Sequence, residues 1–220
     1  LKRRIGCLHA HYANIEYIEQ AFSKVEAELL HFVDPALVYR VSSDDSFSLP
    51  DAERKVKEQI EWIAQARVDA ILITCTNYVA LLQDDQLAVT VPVIKIDEPF
   101  FDLVSHREGN QILLFTNPAT VEGTMGRLQE YASAIGRRPD IEVRVIPDTF
   151  ELFMQGNREQ YKNVLAASIR ELLAADQGKA ISVAQLSMTE AARSVSEETG
   201  VAIGNPLDAL APYVENALFK

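Results

Sequence analysis

Ala70-Ile-Leu-Ile-Thr-Cys75-Thr-Asn77 and, 110 residues later, Ala180-Ile-Ser-Val-Ala-Gln185-Leu-Ser187 are two versions of one pattern. Each is an apolar run too short for a helix that ends in small hydroxyl or amide residues. A buried parallel strand reads this way where it turns into a helix. The following strand repeats at the same offset, with Val91-Pro-Val93 lying over Val201-Ala-Ile203. The opening strands, Ile5-Gly-Cys7 and Ile112-Leu-Leu114, match at an offset of 107. Offsets close to half of the 220 residues point to an internal duplication. The predicted fold is therefore α/β: two similar βα-repeat domains with four-stranded parallel sheets, related by a pseudo-two-fold, with an active-site cleft between them. The expected halves are residues 1–100 plus 206–220, carrying the Cys75 loop, and 101–205, carrying the Gln185 loop. The polar stretch Asp97–Asn110 reads as the linker.

Working outward, the other expected strands are Arg4–Leu8, Ala36–Val41, Val91–Ile96, Gln111–Phe115, Ile141–Ile146 and Val201–Ile203. Helical periods of three and four fill the intervals. Ile15, Ile18, Phe22, Val25 and Leu29 form one such stripe, with Asn14 as its expected cap. Ser48-Leu-Pro-Asp51 reads as a capping box ahead of Val56, Ile60 and Ile63. Pro118 opens a helix with Val121, Met125, Leu128 and Ala132 on its apolar face. Tyr161, Leu165, Ile169 and Leu172 mark another, and Leu207, Leu210, Val214 and Leu218 a terminal one. All of these stripes read as core packing.

Hydrophobic residues make up 48% of the chain and charged residues 24%, enough apolar surface for a sizeable core. The formal net charge of −11 argues against nucleic acid as a partner, because phosphate binding needs a cationic surface. No run of about 18 apolar residues suggests a membrane span. No basic-then-apolar leader is read, and two cysteines are too few for a disulfide framework. The expectation is a cytoplasmic protein that acts on small molecules, with self-association left open.

In parallel sheets, ligands collect beyond the carboxyl ends of the strands. Those ends carry His9 and His11, Ser42 and Ser43, and Cys75-Thr76-Asn77 in the first half. The second half presents Thr116, Asn117 and Thr120, then Gln185 and Ser187, then Asn205. Small hydroxyl and amide side chains beside free backbone N–H groups suit a carboxylate, and the same residues also cap helices. Cys75, at a strand-to-helix turn where a thiol pKa can fall, is the expected nucleophile or acid/base. Cys7, inside a strand, reads as packing. His9 is a candidate second proton carrier or a hydrogen-bonded loop histidine. His9 and His11 share a face but lack a third ligand in sequence, so no metal is expected. The segment Ser42–Leu49, with Asp44 and Asp45, reads as a lid or as a solvated connection. No glycine-rich phosphate loop is present, and nucleotide binding is not supported.

The strand before Cys75-Thr76-Asn77 resembles the first cysteine loop of the aspartate/glutamate/hydantoin racemase superfamily, which also includes maleate isomerase and arylmalonate decarboxylase. Thr116-Asn117-Pro118-Ala119-Thr120 resembles that family's threonine-bearing loop, and the duplication matches its two-domain architecture. The resemblance implies a cofactor-independent reaction on a small carboxylate held between the halves. Thr76, Asn77, Thr116, Asn117, Thr120, Gln185 and Ser187 would bind it and Cys75 would react. Family racemases carry a second cysteine on the matching loop; here that position is Gln185. An amide cannot return a proton to the opposite face of a carbanion, so the expectation is a single-thiol isomerase-type enzyme. The alternatives are a single-thiol lyase or decarboxylase, and a non-catalytic carboxylate-binding protein.

Overall fold

The computed structural model describes residues 2–82, 87–176 and 178–218, apart from the side chain of Ser42. The chain divides into two compact units. One comprises the residues up to Asp97 together with those from Leu210 onward; the other is Glu98–Ala209.

The first unit runs β1 (Arg3–His9), α1 (Asn14–Ala21), β2 (Ala27–Val33), α2 (Pro35–Ser43), α3 (Leu49–Ala64), β3 (Ala70–Ile73), α4 (Thr76–Ala80) and β4 (Val93–Lys95). Its four strands are parallel in the order β2-β1-β3-β4. Strand β1 is central, with Cys7 opposite His31 on one side and Leu72 on the other. Leu8, Ile71 and Ile73 turn one face of the sheet into a core with Val56, Ile60 and Ile63 of α3. Gly6 lets that helix approach closely: a Cβ there would lie 2.4 Å from Cγ2 of Ile63. By strand alternation, Ile5, Cys7 and His9 point to the other face.

The second unit contains α5 (Glu98–His106), β5 (Asn110–Phe115), α6 (Val121–Ala134), β6 (Asp140–Val145), α7 (Thr149–Met154), α8 (Arg158–Ala175), β7 (Ala180–Val183) and α9 (Thr189–Thr199). Short 3-10 turns, Pro118–Thr120 and Leu186–Met188, precede α6 and α9. Three parallel strands lie in the order β6-β5-β7. Ile112, Leu114, Ile181 and Val183 pack with Leu165 and Ile169 of α8 and Val195 of α9. Leu113 and Phe115 pack on the opposite face with Phe100, Phe101, Val104 and Leu128. A last helix, α10 (Pro206–Leu218), begins in this unit and from Leu210 belongs to the first. No helix among the described residues is long and apolar enough to cross a membrane.

Several local expectations are corrected. Ala36–Val41 is not a strand but lies within α2, because Asp34 accepts from the Ala36 N–H at 2.9 Å and Pro35 begins the helix. The second strand is instead Ala27–Val33, which the helical stripe through Leu29 had absorbed. The polar stretch read as a linker carries α5, whose Phe100, Phe101 and Val104 are buried. The expected strand Val201–Ile203 reduces to an isolated bridge between Ser182 and Gly204, so the second sheet has three strands, not four. The pairing with β7 falls at Gly204, beside the Ser182 hydroxyl and the Arg107 guanidinium, and Pro206 starts a helix two residues later, so the bridge does not run on. Ser48 does cap α3, accepting from the Asp51 N–H at 3.3 Å. Asn14 is no cap: its side chain donates to the Thr74 carbonyl at 3.3 Å. Ser43 ends α2 and Leu49 begins α3, so the connection expected over 42–49 shortens to 44–48, where Asp44 pairs with Arg40.

Candidate functional site

In the first unit, the end of β3 is tied to β1 before the chain turns. The Thr74 N–H donates to the Leu8 carbonyl at 3.0 Å, and the Thr74 hydroxyl reaches the same oxygen at 3.1 Å. Cys75 follows in extended conformation, with φ −122° and ψ 120°, as the cap residue of α4. Its carbonyl accepts from Val79 at 3.0 Å, which starts the helix. The thiol is half-buried, whereas Thr76 and Asn77 are exposed beside it. Burial pushes the Cys75 thiol above its ordinary range, while the backbone N–H groups of Tyr78 and Asn77 pull it part of the way back. The turn therefore stabilises a thiolate, but not enough to offset desolvation, contrary to the lowered pKa expected from the turn alone. Beneath it, the buried Tyr78 donates its hydroxyl proton to the Asp34 carbonyl.

His9 is fully buried, and both of its ring nitrogens are engaged. Nδ1 lies 2.8 Å from the Thr74 hydroxyl and Nε2 lies 2.8 Å from Nδ1 of His31. The outer nitrogen of His31 is 3.0 Å from the Glu19 carboxylate. Burial, and then the neighbouring His31, hold His9 down at about 4. A proton carrier needs a nitrogen open to substrate, and this ring offers none. His11 is exposed, accepts from the Ala13 N–H at 3.1 Å and stacks on Tyr12, apart from the His9 chain.

The second unit gathers its own polar cluster at the ends of β5 and β7. Oε1 of Gln185 accepts from the Thr116 N–H and hydroxyl, each at 2.8 Å, and from the Asn117 N–H at 3.3 Å. Three donors thus converge on one oxygen. The Thr116 oxygen also meets the Tyr161 hydroxyl at 3.3 Å, which in turn meets Ser187 at 2.9 Å. Thr116, Asn117, Gln185 and Ser187 are therefore one network. Thr120 stands apart, donating back to the Asn117 carbonyl at 2.9 Å, and the Asn117 side chain accepts from Ala119 at 3.0 Å. Tyr161, which sits in an apolar stripe, and His31 are two members of these networks that the sequence does not mark. Neither had a local signal beyond being a polar-tipped residue next to buried ones.

Among curated proteins, no sequence matches the chain. Solved structures do resemble it. An aspartate racemase homologue from Pyrococcus horikoshii OT3 superposes with a TM-score of 0.71 at 13% identity, covering 100% of both chains. An allantoin racemase from Klebsiella pneumoniae gives 0.69 at 19% identity, covering 99% of this chain and 88% of that one. Glutamate racemase from Francisella tularensis gives 0.63 at 16% identity, covering 99% and 81%. At such identities the likeness speaks to the fold alone. The family model for Asp/Glu/hydantoin racemases, however, matches residues 8–214, from the end of β1 into α10. Over that span, with the two parallel sheets already described, the chain belongs to the Asp/Glu/hydantoin racemase family.

Proposed function

We propose that this protein is a cofactor-independent, isomerase-type enzyme that acts on a small carboxylate, with Cys75 as its acid/base or nucleophile. The observation that carries this reading is the convergence of the Thr116 N–H, the Thr116 hydroxyl and the Asn117 N–H on a single oxygen of Gln185. Donors preorganised around an oxygen suit a carboxylate better than a neutral amide, since hydrogen bonds to a charged acceptor are the stronger ones. A substrate carboxylate would displace the Gln185 side chain and take its donors. Thr76 and Asn77, exposed beside the thiol, and Thr120 and Ser187, near the donor network, are the further substrate-binding residues of this reading.

Removing the α-proton of a carboxylate needs a strong base and relief of the developing negative charge. A thiolate whose parent thiol is raised by burial is a stronger base than a free one, although less of it is present at neutral pH. The donor cradle supplies the charge relief. Return of the proton to the opposite face needs a second acid, and Gln185 has none to give. His9, with both nitrogens engaged, positions Thr74 next to Cys75 and carries no proton to the substrate. The expected chemistry is reversible exchange of the α-proton from one face, with little inversion.

A second reading has one specific observation in its favour. Gln185 already fills the cradle, as it would in a protein that binds carboxylates without turning them over. Proton NMR of aspartate, glutamate and a hydantoin in D2O separates the two. Exchange of the α-proton without loss of optical rotation, abolished in Cys75→Ser, supports the enzyme. Rapid racemisation overturns the single-base mechanism, and ligand binding with no exchange establishes the binding protein.

A further inference from the structure

We propose that Cys7, His9 and His31 form a binding site for a thiophilic divalent transition metal, for which zinc is the natural probe. The site lies within the first unit, uses no atom of Cys75 and carries no step of the reaction proposed above. Cys7 and His9 stand two residues apart on one face of β1, and His31 of β2 lies opposite Cys7 in register. Their donor atoms all lie within 4.8 Å of one another. Around a tetrahedral zinc, with bonds of about 2.0–2.1 Å to nitrogen and about 2.3 Å to sulfur, donors sit roughly 3.3–3.6 Å apart. The two imidazoles, now 2.8 Å nitrogen to nitrogen, need to separate by only about half an ångström to admit an ion. Cys7 has little to give up, since its thiol makes only a long contact of 3.7 Å to the Ile5 carbonyl.

The surrounding hydrogen bonds supply the stronger reason. Ligating histidines characteristically place their other ring nitrogen on a carboxylate, a carbonyl or another fixed acceptor. Here Nε2 of His31 points at Glu19 at 3.0 Å, and Nδ1 of His9 points at the Thr74 oxygen at 2.8 Å. Thr74 can accept that proton because its own hydroxyl reaches the Leu8 carbonyl. With the outer nitrogens protonated in this way, Nε2 of His9 and Nδ1 of His31 present lone pairs to the same point. Two lone pairs cannot face each other at 2.8 Å with nothing between them: the gap holds a proton or a cation. Without metal the neutral protein takes the other arrangement, in which Thr74 donates to His9 and His9 to His31. Binding then moves the His9 proton from Nε2 to Nδ1, turns the Thr74 hydroxyl to Leu8 and releases the Cys7 thiol proton to solvent as the metal–sulfur bond forms. One thiolate and two imidazoles favour zinc, or copper and cobalt, over magnesium or calcium. The His31 side chain is 16% exposed whereas Cys7 and His9 are buried, so the ion would enter, and a water would complete the site, from the His31 side.

The test is cobalt titration of the protein, stripped with a chelator and kept reduced. One equivalent should bind with a thiolate-to-cobalt charge-transfer band that zinc abolishes. Cys7→Ser should lose the band and Cys75→Ser should keep it, which assigns the sulfur. Glu19→Gln changes a side chain that is 59% exposed, so the fold should survive. It should weaken cobalt binding by about 10–100-fold, the usual effect of removing a carboxylate behind a ligating histidine. No band at millimolar cobalt, a band that persists in Cys7→Ser, or equal affinity in Glu19→Gln and the parent protein would each overturn the proposal. Proton exchange at the substrate is a separate readout, so failure of the reaction in the cobalt-binding protein would not be mistaken for failure of the metal site.

Discussion

Gln185 stands where the family resemblance places a second thiol, and one oxygen of its side chain gathers three donors from the neighbouring loop. An amide oxygen with three donors is over-supplied for a neutral group. Thr116→Val removes the hydroxyl donor while keeping the shape and the backbone N–H. We expect it to weaken binding of malonate by about 1.5–3 kcal/mol, the value of a hydrogen bond to a charged group, as read by calorimetry. Unchanged affinity would place the anion elsewhere. Cys75 makes a pH prediction. Burial raises it above the ordinary value of 9.0, so the folded protein holds a proton there that the unfolded chain has already lost. Tyr78, raised from 10.0 by its own burial, behaves in the same sense. The stability contributed by the two groups is full below pH 9 and is lost as the pH rises through their folded values. The melting temperature should therefore fall on the alkaline side, and Cys75→Ser should flatten the first part of that fall. Cys75 itself should alkylate more slowly than a free cysteine at neutral pH. Among the site residues, those at strand ends were legible because the duplication marks them. Tyr161 and His31 were not, because a periodic pattern reports which side chains are buried and not what their polar ends meet.

At the scale of elements, the sequence misled where two signals competed. The helical stripe carried through Leu29 overruns the start of the strand at 27–33, and the strand expected over 36–41 is helix. The three-and-four spacing of Val25 and Leu29 simply continued the stripe of α1, although that helix ends at Ala21. For the second segment, Asp34-Pro35 is a helix-start signal that outranks β-branched content, because it names a specific donor and acceptor. The capping box at Ser48 was read correctly for that same reason. Close packing between elements is less visible still: Gly6 gives no hint in sequence that α3 lies against it. Gly6→Ala would set a methyl 2.4 Å from Ile63 and 3.3 Å from Val68, both of which are buried. Overpacking of this kind costs about 1–3 kcal/mol. Urea unfolding should show that loss, and a variant as stable as the parent would mean that α3 has room to shift.

For the whole molecule, the duplication was the most legible feature, since it repeats short strands at a nearly constant offset. Its asymmetries were less so: among the described residues the second sheet has three strands where the first has four, and the place of a fourth holds only the Ser182–Gly204 bridge. The chain also ends away from the unit that precedes it. Residues from Leu210 belong with the first unit, so that unit is assembled from both ends of the sequence and α10 closes it. Val214 is 1% exposed, and together with Leu218 it lines one cavity with Ile5 of β1 and Ala27 of β2. Val214→Ala removes two buried methyl groups from this closure, at a cost of about 2 kcal/mol by apolar burial alone. The loss should not be spread evenly. Hydrogen exchange of the central strands reports each unit separately, because their backbone bonds open with the unit that holds them. Amides of β1 and β3 should lose protection in Val214→Ala, while those of β5 and β7 keep more of theirs. Equal loss in both sheets would mean that the two units open as one, and that the C-terminal helix serves the whole chain rather than the unit it completes.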